Sequence, residues 1–405
     1  MQVAGEIRDG RSDPSDVDGV VAREVVEPAS AEDAAALLAA STRQRASVVI
    51  RGGGTKLGWG RTPATVDVIL STNRLNALVA HEHADLTATV QAGARLADVN
   101  RLLARHGQWL PIESVFEGST IGGAIATNDS GPLRHRYGTP RDLLIGVRLA
   151  LTDGRLIKAG GNVVKNVAGY DIGRLICGSH GSLAAIVSAT FKLSPLPAAS
   201  ETLVASFATA EALAAAVSAL TSSQLEPSAV ELRVGPAYHL LLKFESTKVA
   251  LGTYLQRARA LMEPAGSQTV SSQSEMDLWR EHIAAPWRSP GAVIRFAWLP
   301  ASLGAVLAFV DGLRNTVGDV ELIGRAAIGS GLLRVGADGR AQRDTIEQLR
   351  SHTDVFRHVV VLRAEPSLKE QLDVWGPLGD AGSLGASVKH ALDPNGILNA
   401  GRGPV

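Results

Sequence analysis

Two glycine-rich stretches carry the residues best suited to chemistry in this chain. The first reads Val49-Ile50-Arg51-Gly52-Gly53-Gly54-Thr55-Lys56. The second reads Glu117-Gly118-Ser119-Thr120-Ile121-Gly122-Gly123-Ala124-Ile125-Ala126-Thr127-Asn128. Glycine tolerates positive φ and lacks the Cβ that would hold a ligand away from the backbone. Successive backbone N–H groups in such turns form anion-binding concavities. Two separate stretches of this kind suit a long ligand with a diphosphate in its middle. Thr55, Ser119 and Thr120 add hydroxyls, and Lys56 adds a cation. Either stretch taken alone also reads as a tight surface turn.

Rival phosphate motifs do not fit. A Walker loop ends in Gly-Lys-Ser/Thr, whereas Lys56 follows Thr55 and precedes Leu57. A dinucleotide fingerprint places Gly-x-Gly-x-x-Gly between a strand and a helix. Here a strand-like run, Ser47 to Ile50, does precede the glycines. The continuation Leu57-Gly58-Trp59-Gly60-Arg61-Thr62-Pro63 reads as loop, not helix.

A third segment narrows the reading. It runs Val164-Lys165-Asn166-Val167-Ala168-Gly169-Tyr170-Asp171 and continues to Leu175-Ile176-Cys177-Gly178-Ser179-His180-Gly181-Ser182-Leu183. With the two glycine stretches it resembles the FAD-binding domain of the vanillyl-alcohol oxidase and p-cresol methylhydroxylase (PCMH) superfamily. The closing stretch, Val388-Lys389-His390-Ala391-Leu392-Asp393-Pro394-Asn395-Gly396-Ile397-Leu398-Asn399-Ala400-Gly401-Arg402, resembles the end of that superfamily's 2-hydroxyacid branch. Within the branch, Lys165 to Asp171 and Asp373-Val374-Trp375-Gly376-Pro377 are most similar to the FAD-binding E subunits of bacterial glycolate oxidases.

The resemblance implies FAD as cofactor. It assigns the cofactor to Arg51, Gly52, Gly53, Gly54, Thr55, Lys56, Gly118, Ser119, Thr120, Gly122, Gly123, Ala124, Asn128, Gly169, Gly178, Gly181 and Leu183. Related covalent flavoproteins carry a linking histidine in the first loop. Thr55 and Lys56 stand there, so the FAD is expected to be non-covalent. Lys165 and Tyr170 become the candidate catalytic residues beside the ring. A cation near flavin N1 would stabilise the reduced anion by Coulomb attraction, although Lys165 reads equally as a solvated surface lysine. Asn128 and Asp129 either touch the flavin edge or cap a turn. The resemblance places Arg136-Tyr137-Gly138 near the cofactor, while Arg134, His135 and Arg136 also read as an exposed loop.

Substrate chemistry is less well provided. Dehydrogenating a 2-hydroxyacid needs a cation for the carboxylate and a base for the hydroxyl. Catalytic members of the branch supply a metal-binding histidine cluster in the cap. The corresponding stretch here, Ile328-Gly329-Ser330-Gly331-Leu332-Leu333-Arg334-Val335, has no histidine. Arg280, Arg295 and Arg334 are candidates to clamp a carboxylate. His81-Glu82-His83 reads as an exposed turn between strands, not a metal site. The resemblance therefore implies one FAD-binding subunit of a complex that oxidises glycolate to glyoxylate. Its partners would be a homologous FAD-binding catalytic subunit and an iron–sulfur subunit, with membrane association only through them. A stand-alone FAD-dependent 2-hydroxyacid or alcohol oxidase is the alternative. A non-catalytic assembly subunit is another, against which the intact glycine motifs count.

Composition sets the bounds. Forty basic and forty acidic residues balance, with no long basic block, which argues against nucleic acid. No apolar run approaches the roughly 20 residues that span a bilayer. The polar start is unlike a signal peptide, so cytoplasm is the expected compartment. A single cysteine, Cys177, excludes an internal disulfide.

The elements that must position these residues follow from pattern. Strands are expected at Arg23–Glu27, Val48–Arg51, Val66–Leu70, Leu86–Val90 and Leu183–Leu193. Strands Leu144–Leu151 and Arg155–Ala159 flank the Asp153-Gly154 turn. Ser30 caps a helix between the first two strands, which implies a parallel crossover. A helical stripe runs from Arg95 to His106 and stops at Gly107. Ser194-Pro195-Leu196-Pro197 marks a boundary. Beyond it, helices Ala208–Thr221, Lys248–Met262 and Ser302–Asn315 alternate with strands Ala229–Arg233, Leu240–Glu245 and Val293–Leu299. The fold class is α+β: a two-part PCMH-type FAD-binding domain (20–197), an α+β cap over the flavin face (198–384), and a C-terminal segment (385–405) returning to the FAD domain. Residues 1–19 are expected to be flexible.

Overall fold

Valines and isoleucines in short alternating runs build the first sheet. The computed structural model describes residues 5–9, 16–161 and 171–404. These fall into two compact units. The first takes the chain up to Ser130, Gly138–Leu196, and the chain from Pro377 onward; the second takes Gly131–Tyr137 and Pro197–Gly376.

In the first unit, four strands stand in the order Gly5–Asp9, Glu24–Pro28, Val68–Ser71, Val48–Arg51. Glu24–Pro28 and Val48–Arg51 both run parallel to Val68–Ser71, which lies between them. The crossover helix Ala31–Gln44 begins at Ser30, whose hydroxyl accepts the Asp33 N–H at 3.0 Å. Its Ala34, Ala35, Leu37 and Leu38 pack on Val26, Val48, Val68 and Leu70. The alternate residues Val25, Val49 and Ile69 face the other way, onto Val17, Ala22 and Val66. Both faces of this small sheet are therefore covered, as parallel strands require. Strand Val48–Arg51 ends where Gly52 begins, so the first glycine loop sits at the carboxyl edge of a parallel sheet. Ligands of open α/β sheets bind at that edge.

A second sheet in the same unit is antiparallel throughout. Its order is Leu156–Gly160, Leu144–Ala150, Ala185–Lys192, Thr87–Gln91, Leu78–Glu82. Asp153-Gly154 makes its first hairpin, with Gly154 at φ 90° and Ala150 opposite Leu156. Helices Leu96–Leu103 and Ile121–Thr127 add Leu96, Val99, Leu103, Ile121, Ala124 and Ile125 to its core. The first of these tightens into a 3-10 turn, Ala104–His106, and stops at Gly107 with φ 66°.

The C-terminal segment extends the parallel sheet. Leu398 bridges Val48 in parallel, with Val48 N–H on Ile397 O at 2.8 Å and Asn399 N–H on Val48 O at 2.8 Å. Helix Ala381–Leu392 supplies the anchor. The Lys389 ammonium donates to Ser182 O (2.7 Å), Leu398 O (2.9 Å) and the Asp393 carboxylate (2.5 Å). That carboxylate also accepts the N–H groups of Ile397 and Leu398.

The second unit is one eight-stranded antiparallel sheet. Its order is Gly266–Ser271, Ala199–Phe207, Tyr238–Ser246, Ala229–Val234, Val320–Arg325, Ser330–Val335, Ala292–Ala297, Arg357–Arg363. Helices Ala210–Thr221 and Lys248–Met262 pack on one another, and Leu303–Thr316 packs on the first of them. Thr209 and Thr247 cap the first two. Helix Ser272–Arg288 lies against strands of the sheet, with Trp279 on Ala229 and Leu241.

Three expectations change. Within residues 1–19, Gly5–Asp9 is a strand paired antiparallel to Glu24–Pro28, and Asp16–Val17 pairs with Val20–Val21. Pairing with an established strand orders a polar segment that has no apolar signal of its own. His81 and Glu82 close the strand Leu78–Glu82 instead of lying in the turn, while His83 opens the exposed 3-10 turn that leads to strand Thr87–Gln91. Arg134–Tyr137 is a helical turn of the second unit, in which His135 is half-buried, not an exposed loop.

The Lys389 clip predicts a measurable loss. Replacing Lys389 with Met leaves a buried carboxylate and two carbonyls without their cation, a situation that costs about 3–5 kcal/mol when one partner of a buried pair is removed. The urea midpoint of Lys389→Met should fall accordingly. An unchanged midpoint would show that the tail is held by its backbone bridge alone.

Candidate functional site

The first glycine loop presents an unusual backbone. Among the described residues, no acceptor stands on the N–H groups of Gly52, Gly53, Gly54, Thr55 or Lys56. Backbone donors in folded proteins are rarely left unpaired away from water. Five in succession, lining one cleft, form a cradle for an anion.

The second loop is spent differently. Gly122 N–H donates to Ala92 O (2.7 Å), Gly123 N–H to the Thr120 hydroxyl (3.3 Å) and Ala124 N–H to Thr120 O (2.9 Å). Its backbone is committed to capping and winding helix Ile121–Thr127. Its contribution to the cleft is space. A Cβ on Gly123 would meet just the Thr120 hydroxyl, at 3.2 Å. One on Gly53 would overlap the Gly118 carbonyl, and one on Gly52 would overlap the Thr120 hydroxyl. So Gly52 and Gly53 serve first to let the two loops touch. Gly54, at φ 71°, meets nothing closer than 3.7 Å.

The remaining wall comes from distant parts of the chain. His180, Gly181 and Asn399 all adopt positive φ, at 52°, 71° and 46°. The Asn399 amide donates to His180 O, and its buried Oδ1 has no partner. Arg402 reaches the carbonyls of Leu57 (2.5 Å) and Trp59 (2.7 Å), fixing the end of the first loop. Burial pushes its pKa down to about 10. Thr72, Thr127, Ile50 and Ile186 complete a lining that is apolar with a few hydroxyls. The empty space in the cleft is about 860 Å³ with the open solvent at its mouth included.

Of the sequence candidates, Arg51, Gly52, Gly53, Gly54, Thr55, Lys56, Thr120, Gly122, Gly123 and Gly181 line this cleft. Gly118 lines an adjoining cavity with Arg51, Asn73 and Arg95. Ala124 and Leu183 are core residues. Ser119 is buried and bonded to Lys56, Ser114 and Thr55. Asn128 ends helix Ile121–Thr127 in the left-handed region, its side chain accepting from Arg141 N–H, and Gly178 donates to Ile125 O. Lys165, Gly169 and Tyr170 lie outside the described residues. Sequence reasoning missed Thr72, His180, Asn399 and Arg402. The turn-forming run Asn399-Ala400-Gly401 was the available signal for the last two.

Cys177 is poorly suited to chemistry, because burial pushes its thiol up to about 12. In the second unit, the candidate arginines separate. Arg280 pairs with Asp277 on the surface. Arg334 is buried and bonded to both Asp319 oxygens, a pairing that raises its pKa. Arg295 shares a sheet face with Leu332, Ile323 and Arg325's partner row. A buried polar cluster was not foreseen. Glu231 stands opposite Arg325 in register, with Nε to Oε1 at 3.6 Å, and His282 Nε2 lies 3.0 Å from its Oε2. Beside it, Glu275 accepts from Ser200 (2.5 Å) and Thr202 (2.6 Å), and Trp279 donates to Thr202 (2.8 Å). Tyr137 donates to Glu245 at 2.8 Å; burial and that carboxylate raise its pKa strongly.

Comparison with known proteins decides what the cleft holds. Residues 22–160 match the FAD binding domain family, and residues 196–292 match the C-terminal domain of FAD linked oxidases. Together the two matches mark a FAD-linked oxidoreductase. A glycolate oxidase subunit, GlcD, of Bacillus subtilis is 32% identical over 252 residues, 62% of this chain and 53% of that one. The chain thus aligns with about half the length of that relative. A D-2-hydroxyglutarate dehydrogenase of Xanthomonas citri is 28% identical across 93% of this chain and 88% of its own. The solved structure of Physcomitrella patens BBE-like 1 superposes with a TM-score of 0.72 over 99% of this chain and 97% of its own, at 14% identity, which speaks to the fold alone.

FAD is the cofactor, and the residues present fit it. The unpaired N–H groups of Gly52 to Lys56 suit its diphosphate, and the unpartnered Asn399 Oδ1 suits a ring or ribose donor. Among the described residues no helix is long and apolar enough to cross a membrane.

The close approach of the loops orders the glycines by sensitivity. Gly53→Ala should lose most of its FAD, because its Cβ has no space against the Gly118 carbonyl. Gly54→Ala should weaken binding by roughly 5- to 150-fold, corresponding to about 1–3 kcal/mol of left-handed strain. Gly123→Ala should change least. Flavin content after gel filtration and FAD titration of the apoprotein check this order. The native flavin should be yellow and should leave the polypeptide on denaturation.

Proposed function

We propose that this chain is a FAD-binding subunit of a complex that oxidises glycolate, or a closely related small 2-hydroxyacid, to the 2-oxoacid. The unpaired five-residue cradle at Gly52 to Lys56 carries the reading, because a chain with a vestigial flavin fold has no reason to keep such a cradle. Support comes from the similarity to a glycolate oxidase subunit and to a 2-hydroxyacid dehydrogenase. Such a reaction removes a hydride equivalent (two electrons and a proton) from the carbon bearing the hydroxyl and a second proton from the hydroxyl itself. FAD, when bound, supplies the two-electron acceptor. This chain's residues hold the diphosphate and close the cleft around the cofactor's length. The electrons then pass to an iron–sulfur partner.

In this reading the metal-assisted chemistry belongs to a homologous flavoprotein partner. Strand Ser330–Val335 carries no histidine, and its Arg334 is already bonded to Asp319. Among the described residues no cluster of three or more metal-ligating side chains is placed to hold an ion. Localisation in the cytoplasm, with membrane contact through partners, belongs to the same proposal.

A free-standing 2-hydroxyacid dehydrogenase is the second reading. The near full-length alignment with the D-2-hydroxyglutarate dehydrogenase favours it.

Stopped-flow reduction separates the two. Purified alone, the holoprotein should show little bleaching of flavin absorbance by glycolate or other 2-hydroxyacids. Co-expression with the neighbouring reading frames should give turnover with an artificial electron acceptor. Rapid stoichiometric bleaching of the isolated chain would overturn the subunit reading and favour the free-standing enzyme.

A further inference from the structure

We infer that Lys56 is a positioning residue that locks the two glycine loops together, not a ligand of the FAD diphosphate. The inference rests on reading the cleft as the FAD site. Sequence alone favours the opposite role, since a lysine ending a glycine loop suits a phosphate.

The surroundings of its ammonium decide otherwise. Its Nζ lies 2.9 Å from Asp129 Oδ2, 3.2 Å from Ser119 Oγ and 3.4 Å from Ser114 Oγ. An ammonium has three N–H donors, and these three acceptors account for all of them. The side chain is 6% exposed. The ring centroids of Trp59 and Phe116 stand 5.7 and 5.6 Å away, at cation–π distance. The two rings meet edge to face.

The contacts come from three stretches of the chain. Trp59 follows the first loop, Ser114, Phe116 and Ser119 precede helix Ile121–Thr127, and Asp129 follows it. The hydroxyls close the network. Ser114 donates to Asp129 at 2.8 Å and shares a 2.7 Å bond with Ser119, which lies 3.4 Å from Thr55. The lysine charge is neutralised by Asp129 inside a largely dry pocket. A phosphate approaching Lys56 would have to break that pair and would meet the Asp129 carboxylate. The network's product is the close contact of Gly53 with Gly118, which leaves the N–H groups of Gly52 to Lys56 without partners of their own.

Asp129→Asn separates the two roles by sign. Apoprotein should be prepared from native protein and from Lys56→Met, Lys56→Arg, Asp129→Asn and the Lys56→Met/Asp129→Asn pair, and FAD affinity measured by flavin fluorescence at low and high salt. With Lys56 as a strut, Lys56→Met and Asp129→Asn each bind FAD about 10-fold or more weakly, and the double variant is no worse than the poorer of those two. Residues acting in one network show such non-additivity. The salt dependence of FAD binding then stays native. With Lys56 on the phosphate, Asp129→Asn frees the charge and tightens binding, while Lys56→Met flattens the salt dependence. Tighter binding in Asp129→Asn, additive losses in the pair, or a flattened salt dependence would each overturn the inference. Thermal melts of the apoproteins identify a variant that fails to fold. In that case Ser114→Ala, which keeps both charges, should still weaken FAD binding, and unchanged affinity would overturn the inference. Failure of the native apoprotein to take up FAD would instead sink the reading of the cleft.

Discussion

This fold keeps five successive backbone donors open towards one cleft. Among the described residues the N–H groups of Gly52 to Lys56 have no acceptor, so the surrounding protein must hold that backbone open against its tendency to find partners. Much of the first unit serves this end. The parallel strand Val48–Arg51 delivers the loop at the sheet's carboxyl edge. Helix Ile121–Thr127 fixes the second loop, whose Gly118 carbonyl leaves no room for a side chain at Gly53. Arg402 holds the loop's later carbonyls from the far end of the chain.

Charge in this unit is used to join pieces. Lys56 pairs with Asp129 across the two loops, and Lys389, paired with Asp393 one helical turn on, also reaches the distant Ser182 carbonyl; both pairs are buried or nearly so. Buried pairs add little net stability compared with apolar packing, but breaking one is expensive. Such pairs therefore select one arrangement of the loops and the tail more than they strengthen the fold. The second unit repeats the pattern with Glu231, His282 and Arg325 inside an otherwise aliphatic sheet. That cluster has no counterpart among the residues singled out in the sequence.

The sequence by itself determined the local elements and the type of cofactor site. Val48–Arg51, the Ser30 cap, the Asp153-Gly154 hairpin, Gly107 as a helix stop and helix Lys248–Met262 were all legible, because periodicity, capping and turn chemistry act within a few residues. The glycine stretches pointed to a diphosphate-bearing ligand for the same reason, and the resemblance to a known family made that ligand FAD. Helix Ser272–Arg288 escaped, since its polar composition and internal Pro286 hide the apolar stripe that Trp279 and Ala285 form. Strand Gly5–Asp9 escaped because its order comes from its partner. What only the tertiary structure decided was how the site is shared out. Lys56 looks like a phosphate ligand until Asp129, Ser114 and Ser119 are seen around it, and Asn399 and Arg402 join the cleft only because Leu398 pairs with Val48. Partnership of that kind depends on long-range contacts, which residue type and spacing do not encode locally.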